Sequence, residues 1–208
     1  MENIIFVPDL KINDSLKVVL ENYEGVNTAR CTRQGRMILS ALKGLCLDVE
    51  KIITENFPEA EIRMNNMRPT TFWPDVPWTV FDGSFRHMTD RGPFLINMSY
   101  QFAADMSGVF FALSVNADGW RERFGSEWPS KFEPFKLRLR EDLVWLRDYG
   151  FQLDDDANLM SDDSFAEDMQ HSYIAYKFYS IVEMPSEKEI QRDLVIIFKA
   201  QQQLISKE

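Results

Sequence analysis

Phe94-Leu95-Ile96-Asn97-Met98-Ser99-Tyr100-Gln101-Phe102 and Val109-Phe110-Phe111-Ala112-Leu113-Ser114-Val115-Asn116 are two apolar-rich runs parted by a short turn bearing Ser107-Gly108. Runs of this length, rich in aromatic and β-branched residues and joined by a glycine-bearing turn, read as a β-hairpin. It is the clearest hairpin in the chain. Upstream, Glu61 to Asn65 and Val76 to Phe81 read as two further strands, and downstream the alternating Tyr173 to Ile181 reads as the last.

Helical spacing frames these strands. Ile12, Leu16, Val19, Leu20 and Tyr23 mark a first helix closed by Gly25. Met37, Ile38, Ala41, Leu42, Leu45, Val49, Ile52 and Ile53 stripe a longer helix that stops near Pro58. Phe135, Leu139, Leu143 and Leu146 mark a third, ending at Gly150. Ser186 with Glu189 three residues on is a capping box for a last helix through Ile190, Leu194, Ile197 and Phe198. The expectation is an α+β fold, a mainly antiparallel central sheet flanked by helices, in a single domain over residues 1–208. Residues 1–25 form a helical lead-in, and 153–170 an acidic loop expected to be the most flexible segment.

A chain of 208 residues, 45% hydrophobic, can bury one sizeable core. No window approaches 18 uninterrupted apolar residues, so no membrane span is expected. The start lacks the basic and apolar regions of a secretory signal. Cys31 and Cys46 are too few for a disulfide framework and match no zinc spacing, so reduced thiols and a cytoplasmic location fit best. Cys46 reads as a small core hydrophobe.

The net charge of −10 argues against nucleic acid as a partner, but it is unevenly spread. Asp154, Asp155, Asp156, Asp162, Asp163, Glu167 and Asp168 carry seven of those charges with no cation between them. Asn27 to Leu47 instead holds Arg30, Arg33, Arg36 and Lys43 without an acid, and Arg63, Arg68, Arg86 and Arg91 surround the segment Met67 to Trp78. With screening over about 10 Å, local sign outweighs the total.

That segment, MRPTTFWPDVPW, crowds two tryptophans, a phenylalanine and three prolines into a loop that leads into a strand. Proline fixes φ and removes a donor, so the loop is stiff, and stiff aromatic loops suit flat ligands. The strand start Val76-Pro77-Trp78, the run Gly92 to Tyr100, the turn Asp105-Met106-Ser107-Gly108 and the return strand Val109 to Ser114 together resemble the N-terminal domain of McrB-type modification-dependent restriction proteins. Tyr173 to Tyr179, then Met184-Pro185-Ser186 and a Leu-bearing helix, resemble the family's closing segment. The likeness touches residues 35–205 and is densest from Phe72 to Ser114.

The resemblance implies a DNA-reading module, in the best-understood members one that flips a methylcytosine into an aromatic pocket. Position matching puts Trp78, Phe94 and Met98 on the pocket walls. Where such readers have a Gly-aromatic-Gly element this chain has Pro69-Thr70-Thr71, which leaves Phe72 and Trp73 as the nearest aromatics. The expected base-binding set is therefore Phe72, Trp73, Trp78, Phe94 and Met98, with edge hydrogen bonds from the loop backbone or from Asn65 and Asn97. Read from the residues alone, Phe94 and Met98 fit core packing better, and Trp73 fits either role. Arg68, Arg86 and Arg91 are the expected DNA-backbone contacts, against surface pairing with Asp75, Asp82 and Asp90.

No catalytic residue, metal ligand or cofactor is expected. His87 and His171 are far apart with no HExxH or Cys/His cluster, and no G-x-x-x-x-G-K-[ST] motif occurs, so the chain is not the nucleotide motor. A nuclease reading of Pro74-Asp75 lacks a downstream E-x-K strand, and the acidic loop lacks calcium-loop spacing. The expected partners are double-stranded, base-modified DNA and the motor and nuclease subunits or domains of a restriction or antiviral defence complex, with no membrane. One alternative is a protein-interaction module docking a partner through the acidic surface and aromatic loop. Another is a sensor of small molecules or nucleotide derivatives using the same pocket.

Overall fold

The computed structural model describes residues 4–23, 32–66, 74, 76–85 and 95–207. Five strands, β1 (Ala60–Asn66), β2 (Trp78–Phe85), β3 (Ile96–Phe102), β4 (Gly108–Val115) and β5 (Tyr173–Ser180), form one sheet in the order β1-β2-β3-β4-β5, each antiparallel to its neighbour. The chain is thus α+β, as its periodicities imply. The β3–β4 hairpin turns through Met106, at φ 56, and closes with the Ala103 N–H on the Gly108 carbonyl at 3.0 Å. Gly108 is required there by the closeness of β5. A Cβ would run into the Phe178 ring and the Tyr179 carbonyl of β5.

Side chains of a strand alternate between faces, so the register assigns each residue to a layer. One face carries Phe81, Met98, Tyr100, Phe111 and Leu113, all fully buried. It packs against α1 (Ile12–Asn22), α2 (Arg33–Asn56) and α6 (Glu187–Lys207), whose buried stripes include Leu16, Leu45, Ile52 and Phe198. Within the expected α2 stripe, Met37 is instead exposed. The Thr32 hydroxyl caps α2 by accepting from the Gly35 N–H at 3.0 Å. Ser186 and Glu189 form the reciprocal capping box of α6, with Ser186 N–H donating to Glu189 Oε2 at 2.8 Å. These hydrogen bonds hold the Glu189 carboxyl below its ordinary pKa. Asp193 on α6 is wholly buried, yet satisfied by Lys177 Nζ at 2.8 Å and the Tyr179 hydroxyl at 2.9 Å, which ties α6 to β5.

The other face is served by the long connection from β4 to β5. It holds α3 (Ala117–Phe124), α4 (Trp128–Asp142) and α5 (Ser164–Ser172). The expected third helix is α4 followed by a 3-10 stretch, Val144–Tyr149, ending at Gly150 with φ 82. Helices α3 and α5 escape a periodicity reading because each is short and buries only two or three residues. Gln152 bridges to Tyr176 and so covers part of the outer edge of β5.

The acidic stretch is not the loose loop its composition suggests, because many of its charges are engaged. Asp155 meets Lys136 at 2.8 Å and Arg140 at 2.9 Å. Burial pushes its pKa up, but the hydrogen bonds from Arg140 and Lys136 prevail and hold the carboxyl below its usual value. Asp154 accepts from the Tyr176 hydroxyl at 2.5 Å, Asp163 caps α5, and Asp168 pairs with Arg121 and accepts from Trp128 Nε1 at 3.2 Å. Residues 164–170 of the expected loop are helix.

A hollow between the sheet and the crossover helices

On the face away from α2 and α6, the sheet and the crossover enclose an open hollow of about 360 Å³. Its floor is built from β2, β3 and β4 through Val80, Asn97, Gln101 and Ser114, with Trp78 at the start of β2 as a side wall. Its far wall is Phe165 and Met169, one turn apart on α5, and its near wall is the start of α3 at Ala117 and Asp118. The exposed Arg63 of β1 also borders it.

Trp78 occupies the wall because of how its strand begins. The Val76 side chain is buried in a small apolar cluster with Phe110, Tyr173 and Tyr176, and the Pro77 carbonyl accepts from the Phe102 N–H at 2.9 Å. The Tyr23 hydroxyl donates to the Pro74 carbonyl, which ties the approach to α1. Half-buried Trp78 then lies 6.4 Å from Phe165, ring centre to ring centre, at 39°.

The floor is unusually polar for the interior of a sheet. Asn97, Ser99 and Gln101 alternate along β3 on the hollow side, and Ser114 stands opposite Asn97 across the β3–β4 ladder. Gln101 is oriented by its neighbours. Tyr173 donates its hydroxyl to Gln101 Oε1 at 2.5 Å, and Gln101 Nε2 donates to Ser99 Oγ at 3.1 Å and to Met169 sulfur at 3.3 Å. Burial, then the nearby Tyr176, pushes the Tyr173 pKa well up, so it stays a neutral donor. Asn97 has no such support: its Oδ1 is buried without a hydrogen-bond partner among the described residues. The Asn116 side chain makes no capping bond to α3.

Of the residues singled out from sequence, Trp78 lines the hollow and so does Asn97. Met98 does not, and the register explains the correction: Trp78 pairs with Gln101 while Met98 pairs with Phe81, which puts Met98 on the opposite face, fully buried under the helices. Phe72, Trp73, Phe94, Arg68, Arg86 and Arg91 lie outside the described residues. Sequence reasoning passed over Val80, Gln101, Ser114, Phe165 and Met169 as lining residues. The polar alternation Asn97, Ser99, Gln101 was a visible signal. Phe165 and Met169 were hidden in a stretch read as loop.

Tryptophan, phenylalanine and methionine around a polar floor make a slot for a flat, hydrogen-bonding ligand. The profile of the MrcB-like, N-terminal domain matches residues 19–206, nearly the whole chain. The chain belongs to that family. No curated protein and no solved structure matches it. Membership in the MrcB-like family supports a DNA-binding recognition module of an McrB-type restriction system, a binding rather than a catalytic part. Among the described residues no helix is long and apolar enough to cross a membrane, and no group of three or more His, Cys, Asp or Glu could hold a metal ion.

Proposed function

We propose that this MrcB-like domain reads a modified base in double-stranded DNA by taking it, flipped out of the duplex, into the hollow beside Trp78. The observation that carries the reading is the pairing of family membership with a slot walled by Trp78 and Phe165 over a polar floor. At about 360 Å³ the hollow lies near the small end of the ligand-pocket range, about 300–1,000 Å³. That favours a single base over a larger ligand. An aromatic face holds an unstacked base with about 1–3 kcal/mol. Arg63 borders the hollow, and Arg68, Arg86 and Arg91 are proposed with it as phosphate contacts. Phe72, Trp73 and Phe94 are proposed to complete the aromatic grip. Methylcytosine is the proposed base, and the proposed partners are the motor and nuclease subunits or domains of a cytoplasmic antiviral restriction complex.

The net charge of −10 is unevenly placed: cations stand directly beside Asp155 and Asp168, so at close range the acidic stretch repels DNA less than seven bare carboxylates would. The same contacts leave less free acid for docking a basic partner. The test is titration of the protein with duplexes carrying methylcytosine, other modified bases or plain cytosine at increasing salt. Tighter binding to one modified duplex, falling steeply with salt, is expected. Equal or absent binding across the panel, or binding indifferent to salt, would refute the proposal.

A further inference from the structure

We infer that Asn97 is the residue that tests the hydrogen-bonding edge of whatever base the hollow holds, an inference that rests on the function proposed above. Asparagine is disfavoured in strands, and a buried acceptor left unmet forfeits the hydrogen bond it would make to water. Its neighbours on the same face show what a structural polar residue looks like here. Ser99 and Gln101 are held in one chain of hydrogen bonds leading to Tyr173, whereas Asn97 Oδ1 has no partner among the described residues. Valine, a better strand former, would serve the sheet at this position without that cost.

The amide lines the hollow opposite Ser114, on the same sheet face as Trp78. No hydrogen bond among the described residues fixes it, and the terminal torsion of asparagine is broad, so either end can turn to a ligand. An amide offers a carbonyl acceptor beside two N–H donors. Its complement is a ligand edge with a donor next to an acceptor, which is what the Watson–Crick edge of a nucleobase carries. Arg63 and Asp118 both border the hollow and offset each other, so its charge does not single out a phosphate over a neutral base edge. Asn97 therefore supplies selectivity for the edge, and Trp78 supplies grip on the ring.

The test uses the whole chain and duplexes whose probe position faces an abasic site, so that pairing energy is equal in every arm. The probe base is methylcytosine, cytosine or the apolar isostere difluorotoluene. The unmodified protein is expected to prefer the hydrogen-bonding bases over the isostere on the order of tenfold. Asn97→Val should erase that preference, retain residual binding to every probe, and leave Tm unchanged or raised. Retention of the preference by Asn97→Val overturns the inference. So does a marked fall in Tm, which would mean the amide is bonded within the fold. Trp78→Ala separates the two claims: if it weakens all probes while Asn97→Val changes nothing, only the edge-reading role of Asn97 falls. If the unmodified protein binds none of the duplexes, both claims fall.

Discussion

The two faces of the central sheet are made by the same strands, residue by residue in alternation, and they obey different rules. On the face toward α2 and α6, Met98, Tyr100, Phe111 and Leu113 are apolar or aromatic and fully buried. Tyr100 stacks on Phe111 at 4.6 Å between ring centres and meets Phe81 edge-on at 6.0 Å. On the other, Asn97, Gln101 and Ser114 form a polar floor open to a hollow, with Ser99 buried beside them on the same face. A one-residue slip of β3 would exchange Met98 and Tyr100 for Asn97, Ser99 and Gln101. Burial of one face fixes the register, and the fixed register presents the polar set to the hollow.

Four substitutions break or sharpen that contrast. Phe111→Ala, on the helix-packed face, should cost about 3–5 kcal/mol through lost burial and the cavity left behind. Urea unfolding would show it as a lowered midpoint, and a loss under about 1 kcal/mol would mean that this face is not the core. Trp78→Ala, on the hollow face, should weaken binding to modified DNA by about 1–3 kcal/mol with a much smaller change in stability. Titration and thermal melts on the same sample decide it, and the reverse pattern would assign Trp78 to packing.

Tyr173→Phe sits between these extremes. It removes the hydroxyl that Gln101 Oε1 accepts and should cost about 1–2 kcal/mol, with DNA affinity lowered as Gln101 loses its orientation. An unchanged melting curve would show that the polar floor does not depend on this link. Asp155→Asn should have the smallest effect, under about 1 kcal/mol at neutral pH, since the carboxyl is half-exposed to solvent. Its pKa is lowered in the folded state, so its stabilisation is present above about pH 3.9, the ordinary aspartate value, and is lost as pH falls through the folded pKa. Acid titration of both proteins should show their stabilities converging at low pH, and a constant gap between them would exclude this account.

How much of this was legible in the sequence depends on how far each element carries its own signal. All five strands and the helices α1, α2 and α6 were readable, because long alternating or 3.6-residue patterns reflect burial on one side. The α6 start was readable to the residue, since a capping box is a local contact between Ser186 and Glu189. The short helices α3 and α5 were not. The α5 segment hides its buried Ala166 beside acids, of which Asp168 finds its partner Arg121 far away in the chain. For the site, family position matching placed Met98 beside Trp78, whereas strand pairing places it on the other side. Parity along a single strand is visible in sequence, but the offset between two strands is not. Gln101, Ser114 and Phe165 belong to three elements that only the folded chain brings to one place.

The floor of the hollow and its outer wall come from parts of the chain with different obligations. Strands β2 to β4 must satisfy the core on their reverse side, whereas Phe165 and Met169 ride on α5, which Asp168 ties to α3 and α4 through Arg121 and Trp128 within the same crossover. The crossover as a whole is not free to change, since Trp120, Phe132, Leu139 and Leu143 are buried in the core and Arg140 bonds the Tyr173 and Ile174 carbonyls. The half-buried Phe165 and Met169 carry no such duty to the opposite face of the sheet. To reshape the hollow with least disturbance of strand pairing, the positions to vary are therefore Phe165 and Met169 on α5, not the sheet.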